Sequence, residues 1–222
     1  MKNLLNELAI CVEFGKINMA TPYPPQMKGQ PGVEELTVSA LEAGIAPQEI
    51  LTGGLIEGMG KVGIKFRNNE IFVPQVLMSA RAMNMGMNHL RQYFNDGSMQ
   101  TKGKFIMGTV SGDLHDIGKN LVCMMVEGNG YEVIDLGVDV SAEKFIEAIK
   151  EYPDAYVGMS ALLTTTMVNM EEINRQIKQN YPDIITFIGG APVHDKFAKE
   201  IGADYYTRDP QELVDILNKI SA

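Results

Sequence analysis

The chain has 222 residues and a mass of 24.4 kDa, enough for one large domain or two small ones with proper cores. Apolar residues make up 45% and charged residues 21%, a globular balance that excludes a disordered chain. Nineteen Lys and Arg against 28 Asp and Glu leave a net charge of −9, which speaks against a nucleic-acid partner. No stretch approaches the ~18 uncharged apolar residues of a membrane helix.

The start, Met1-Lys2-Asn3-Leu4-Leu5-Asn6-Glu7, carries charge too early for a signal peptide. Leu4, Leu8, Cys11 and Val12 then share one helical face. Cys11 and Cys123 sit far apart in apolar helical patterns and read as reduced thiols, so a cytoplasmic protein is expected. Residues 21–32 hold four prolines and do not read as regular structure. A second helix follows with Val33, Leu36, Ala40 and Leu41 inward, and Gly44 marks its end. Pro47 suits the first turn of a third helix carrying Ile50, Leu51, Leu55, Met59 and Val62. Pro74 opens a fourth with Val76, Leu77, Ala80, Met83, Met87 and Leu90. Four amphipathic helices over residues 1–94 predict a helical bundle.

The third helix carries Gly53, Gly54, Gly58, Gly60 and Gly63, each costing up to about 1 kcal/mol against Ala. Either tight helix–helix packing or close approach to a flat ligand would compensate. The 15 methionines suit core filling or an adaptable surface.

Residues 95–103 are polar and Gly-containing and read as a linker. Beyond it strands and helices alternate. Strands are expected at 104–110, 131–136, 155–160, 184–188 and 203–206. Helices are expected near 116–129, 141–151, 167–181, 192–201 and 211–220. Five such units over 104–222 predict a five-stranded parallel sheet of flavodoxin-like, Rossmann-like α/β type. Ligands then bind at the carboxyl ends of the strands.

The loop after the first of these strands reads Ser111-Gly112-Asp113-Leu114-His115-Asp116-Ile117-Gly118. A carboxylate two residues before a histidine can fix its tautomer and free the other nitrogen as base or metal ligand. The same residues also suit an exposed turn in which Asp113 or Asp116 caps the next helix. His89 and His194 lack such a setting and read as surface or cap residues. Ser160 to Thr166 and Gly189-Gly190 place small side chains at other strand ends, implying a narrow slot. A dinucleotide site is excluded because no G-x-G-x-x-G follows the first strand. A lone histidine cannot hold zinc, but it can hold a metal whose other positions a macrocycle fills.

Asp113-x-His115-x-x-Gly118, with Ser160-x-Leu162 and Gly189-Gly190 downstream, resembles the signature of cobalamin-binding domains. The first half resembles the helical cap of methyl-carrying corrinoid proteins, through residues 58–66 and 72–83. The chain is similar over nearly its whole length to corrinoid proteins of methylamine, methanol and betaine methyltransferase systems, and to the cap and cobalamin modules of methionine synthase. The resemblance implies that His115 is the lower cobalt ligand, in the base-off/His-on form, with Asp113 and Thr166 completing a proton relay. It implies that Gly112, Leu114, Asp116, Gly118, Ser160, Leu162, Thr164, Gly189 and Gly190 contact the cofactor. Phe66 and Val73 would shield the methyl face, and the glycines of the third helix would lie near the corrin.

Implied partners are a substrate-specific methyltransferase, a corrinoid:tetrahydrofolate or corrinoid:thiol methyltransferase, and a reductive activation protein. Methylcobalamin would be the loaded form, and neither nucleic acid nor membrane is an implied partner. The chain would carry methyl groups, with little turnover alone. The alternatives are the cobalamin subunit of an adenosylcobalamin mutase and a cobalamin-sensing regulator. The proline-rich segment departs from the family pattern and reads as a tolerated insertion rather than a docking surface.

Overall fold

In the computed structural model, which describes residues 2–95 and 99–221, helix α1 (Lys2–Glu13) buries Leu5, Leu8, Ala9, Cys11 and Val12 along one face. Helix α2 (Val33–Glu42) starts where the Glu35 carboxylate accepts the Gly32 amide at 2.8 Å, half of a capping box. It ends at Gly44, whose φ of +75° is a left-handed position that glycine adopts at little cost. Helix α5 (Val73–Asn95) begins one residue before Pro74, so the proline lies in the first turn, where its missing N–H is harmless.

The third predicted helix is one continuous rod of three parts: α3 (Pro47–Ile50), a π-helical turn (Leu51–Ile56) and α4 (Glu57–Arg67). Gly53 and Gly54 lie in the wide π turn, against α1. A Cβ added to Gly54 would stand 2.5 Å from Leu8 Cδ2. One added to Gly58 would stand 2.6 Å from Val12 Cβ and 2.7 Å from the Ala9 carbonyl oxygen. Gly54 and Gly58 are therefore spent on helix–helix packing, the first of the two explanations that the sequence leaves open. Gly60 faces open space.

The proline-rich segment is stitched to its neighbours. It contains one short 3-10 turn (Pro25–Met27). Fully buried Lys16 donates from Nζ to the Thr21 carbonyl at 2.8 Å, and the Cys11 thiol lies 3.6 Å from the Pro31 carbonyl. The Val33 and Glu34 amides bond back to the Lys16 and Ile17 carbonyls. The segment thus closes as a strap with fixed ends.

The second compact unit begins at Lys102. Residues 96–98 of the expected linker lie outside the described residues; beside them, buried Met99 donates its amide to the Tyr93 carbonyl at 2.9 Å. Five parallel strands, β1 (Lys104–Thr109), β2 (Glu132–Asp135), β3 (Tyr156–Ser160), β4 (Thr186–Gly189) and β5 (Tyr205–Tyr206), lie in the order β2-β1-β3-β4-β5. This is the flavodoxin-like order expected from the sequence. Helices α6 (Ile117–Glu127), α7 (Ala142–Glu151), α8 (Thr164–Met167), α9 (Asn169–Asn180), α10 (Asp195–Ile201) and α11 (Pro210–Ile220) complete the unit. The expected helix at 167–181 starts earlier, as α8, and continues as α9.

Buried Ile106, Val157, Met159, Phe145, Ile149, Ile173 and Ile177 form the main core beside the sheet. A chain of rings, Phe105, Phe187 and Tyr205, fills further space, with centroids 5.9 and 5.0 Å apart. The register aligns the last residues of three strands, Thr109 with Ser160 and Ser160 with Gly189. Strand order reverses at β1, so the β1 loop opens at the topological switch point.

Candidate functional site at the carboxyl ends of the strands

The β1 loop begins with a tight turn in which the Asp113 amide donates to the Val110 carbonyl at 3.1 Å. Gly112 takes φ +79°, the value that the third residue of a type II turn requires. The turn sends the Asp113 side chain inward, where it is wholly buried. Its two oxygens divide their partners. Oδ1 accepts the His115 amide at 3.0 Å and lies 2.7 Å from His115 Nδ1. Oδ2 accepts the Thr166 hydroxyl at 2.6 Å and the Leu162 amide at 2.8 Å.

Burial opposes the charge on Asp113. The bonds from Thr166, Leu162 and His115 outweigh it and hold the carboxyl well below the usual carboxylate range. The carboxylate is charged, buried and fully engaged, so it does not serve as the helix cap considered from sequence. His115 is 51% exposed at its side chain. With Nδ1 held by Asp113, Nε2 is the nitrogen left to serve a ligand.

Asp116 is exposed; its side chain accepts from Asn120 Nδ2 at 3.1 Å. Leu114 and Ile117 are each 72% exposed, and Leu162 and Leu163 are 45% and 43% exposed, an unusual apolar share for strand-end loops. Gly118 has open space about it, which keeps the start of α6 free of side-chain bulk. Ser160 ends β3, and Thr164 opens α8 on the surface. Gly189 ends β4; a Cβ there would lie 3.2 Å from the Thr207 carbonyl oxygen. Gly190 has φ +130°, and a Cβ there would overlap the Ala161 carbonyl oxygen at 1.8 Å, so the mouth between β3 and β4 admits no side chain at this point.

The α/β unit thus brings together twelve of the fourteen candidate residues. Phe66 and Val73 belong to the helical unit, at the end of α4 and the start of α5. Both are partly exposed, beside the exposed side chains of Ile64 and Phe72. His194 caps α10 by accepting the Phe197 amide at its Nδ1, the ordinary role expected of it.

Several residues at the strand ends carry no motif signal. Thr109 Oγ1 donates to the His115 carbonyl at 2.9 Å. Asp139 Oδ1 accepts the Gly112 amide, and Asn169 Nδ2 donates to the Ser111 carbonyl, both at 2.7 Å. Lys119, 2% exposed, pairs with Asp135 at 2.5 Å and anchors the first turn of α6 to the end of β2. The one legible hint is position: Asp135 lies near the end of an expected strand and Asp139 just beyond it, on the edge where ligands bind.

Among the described residues no three His, Cys, Asp or Glu side chains gather into a metal site. A single half-exposed imidazole, apolar loop surface and a side-chain-free mouth fit a flat macrocycle that brings its own metal.

The comparisons agree with that donor set. Residues 103–215 match a B12 binding domain model, and residues 30–91 match a second B12 binding domain model. The trimethylamine corrinoid protein of Methanosarcina barkeri is 42% identical over 185 residues, covering 82% of this chain and 85% of that one. The chain belongs to the B12-binding corrinoid proteins. A corrinoid protein of Desulfitobacterium hafniense (strain Y51) is 38% identical over 85% of this chain and 89% of its own. Among solved structures, the methanol:cobalamin methyltransferase complex of Methanosarcina barkeri aligns with a TM-score of 0.82 and 31% identity, over 99% of this chain and 80% of that one. A cobalamin-binding protein of Desulfitobacterium hafniense DCB-2 aligns with a TM-score of 0.76 and 27% identity, over 97% of each chain. Corrinoid proteins of methyltransferase systems are thus its relatives in sequence and fold, and a corrinoid is its cofactor.

Proposed function

We propose that this corrinoid protein is a methyl carrier. It receives a methyl group from a substrate-specific methyltransferase and yields it to a second methyltransferase whose acceptor is a tetrahydrofolate or a thiol. The observation that carries the reading is the half-exposed His115 imidazole, backed by the buried Asp113 carboxylate and the Thr166 hydroxyl. The names of its relatives, corrinoid proteins for trimethylamine and a partner in a methanol:cobalamin complex, support a methyltransferase as partner.

When bound, cobalamin supplies the metal centre that takes on and gives up the methyl group. His115 Nε2 would hold the cobalt of the cofactor. Asp113 accepts the Nδ1 proton and so directs the Nε2 lone pair outward. Asp113 and Thr166 would serve with His115 as a proton relay, the charged carboxylate holding the hydrogen on Nδ1. Thr166 and the Leu162 amide keep Asp113 ionised. Gly112, Leu114, Asp116, Gly118, Ser160, Leu162, Thr164, Gly189 and Gly190 would line the cofactor. Phe66 and Val73 would shield the transferred methyl group. The donor is activated and positioned elsewhere, since the candidate residues are all committed to the cofactor. Two buried thiols and the absence of a described helix able to cross a membrane support a cytoplasmic setting.

The test is reconstitution. Protein loaded with cobalamin and reduced should demethylate methanol or a methylamine very slowly alone, and rapidly once a cognate methyltransferase is added. Turnover by the carrier alone at ordinary enzyme rates, of order 1–10³ s⁻¹, would contradict the reading. Native protein that carries adenosylcobalamin would favour the mutase or the regulator alternative.

A further inference from the structure

The central peptide of the β1 turn, between Ser111 and Gly112, is gripped at both ends by side chains from other strand ends. Asn169, at the start of α9, donates from Nδ2 to the Ser111 carbonyl at 2.7 Å. Asp139, in the loop after β2, accepts the Gly112 amide on Oδ1 at 2.7 Å. Asp139 also donates its own amide to the Asp113 carbonyl at 3.0 Å. It makes both contacts from a φ of +53°, a conformation that a non-glycine residue adopts at some cost.

This peptide is the one that distinguishes the two common turns. Type I and type II differ by a flip of the central peptide, and Gly112 at φ +79° places the turn in type II. A flip would carry the Ser111 oxygen away from Asn169 and the Gly112 hydrogen away from Asp139. The two side chains therefore hold one of two orientations. Three residues downstream of the gripped amide stands His115, whose carbonyl is tied to Thr109 and whose ring is tied to Asp113.

We propose that Asp139 and Asn169 are positioning residues for His115. By locking the Ser111–Gly112 peptide, they set the presentation of Nε2 and hence the fraction of bound corrinoid that His115 ligates. The proposal rests on the reading of His115 as the cobalt ligand. Asp139 and Asn169 bond to the turn backbone and the imidazole bonds to Asp113, so the effect passes through the loop.

The variants separate the carboxylate from the backbone. Asp139→Gly keeps the left-handed backbone and its amide, and removes only the acceptor. Asp139→Asn keeps an oxygen acceptor and tolerates the same φ. Asn169→Ala removes the opposite grip. Each is labelled with ¹⁵N-histidine, loaded with cobalamin and reduced to cobalt(II). Electron paramagnetic resonance then gives the ratio of histidine-ligated to unligated cobalt, and cobalamin titration gives the affinity. Amide exchange on the apo-protein reports protection of Gly112.

Asp139→Gly should lower the ligated-to-unligated ratio about tenfold, the scale of one charge-assisted hydrogen bond. It should also lose Gly112 protection, while Asp139→Asn restores most of both. Asn169→Ala should move the ratio the same way, which keeps the proposal testable if Asp139→Gly does not fold. Wild-type protein without splitting from labelled histidine would overturn the ligand reading and the proposal with it. Wild-type protein with that splitting, and variants with unchanged ratio and affinity, would overturn the proposal alone.

Discussion

Asp113 Oδ1 and His115 Nδ1 stand 2.7 Å apart, the carboxylate wholly buried and the imidazole half exposed. The pair crosses the boundary between core and solvent within two residues. A buried, unpaired carboxylate would be expensive. Here the cost is offset by Thr166 and the Leu162 amide on the far oxygen.

That division makes Thr166 the residue to probe first. Thr166→Val keeps the shape and removes the hydroxyl, leaving Oδ2 of a buried charge with the Leu162 amide alone. The variant should lose about 1–3 kcal/mol of stability in urea denaturation, and Thr166→Ser should recover most of it. Equal stability of the valine variant and wild type would show that the hydroxyl contributes nothing to holding Asp113.

The glycines of the third helical rod allow a paired test. Gly58→Ala puts a methyl 2.6 Å from Val12 Cβ and should destabilise the helical unit by about 1–3 kcal/mol. Gly60→Ala meets open space in the same helix and should stabilise it by up to about 1 kcal/mol. Thermal unfolding of the two variants should move in opposite directions; a shared direction would remove packing against α1 as the explanation.

The parallel α/β unit and the His115 loop were legible because both rest on local pattern. Apolar strands alternate with amphipathic helices, and Asp113 lies two residues from His115. The π turn was not legible, because Gly53 and Gly54 take meaning only from the side chains of Leu5 and Leu8 on α1. The anchoring of the strap over residues 21–32 was not legible, because it rests on bonds from buried Lys16 and Cys11, which a composition of prolines does not reveal. Asp139 and Asn169 carry no signal for a related reason: they act on backbone 27 and 58 residues away, respectively, and such bonds leave no spacing in the sequence.

Both cysteines are buried, and burial pushes Cys11 up to about 11 and Cys123 up to about 12 from an ordinary 9.0. Folded protein at pH 8 should react with an alkylating reagent far more slowly than unfolded protein, which should take up two equivalents. Because the folded values are raised, the associated stability is complete below pH 9 and is lost as pH rises through 9 towards 12. Replacing both thiols by Ala should flatten that alkaline decline; an unchanged decline would assign it to other groups.

Phe66 offers a check on the helical unit. In protein loaded with methylcobalamin, Phe66→Ala should photolyse faster than wild type, because a shielded radical pair recombines more often than an open one. Equal photolysis rates would remove Phe66 from the shielding role.

The most direct test of the central claim is electron paramagnetic resonance of the cobalt(II) form, prepared from cobalamin and protein labelled with ¹⁵N-histidine. Ligation by His115 predicts that the nitrogen splitting changes from the three-line pattern of ¹⁴N to the two-line pattern of ¹⁵N, and that His115→Ala abolishes it while retaining some corrinoid through the other lining residues. A three-line pattern that persists after labelling would place the cofactor's own base on the metal, and would contradict His115 as the ligand.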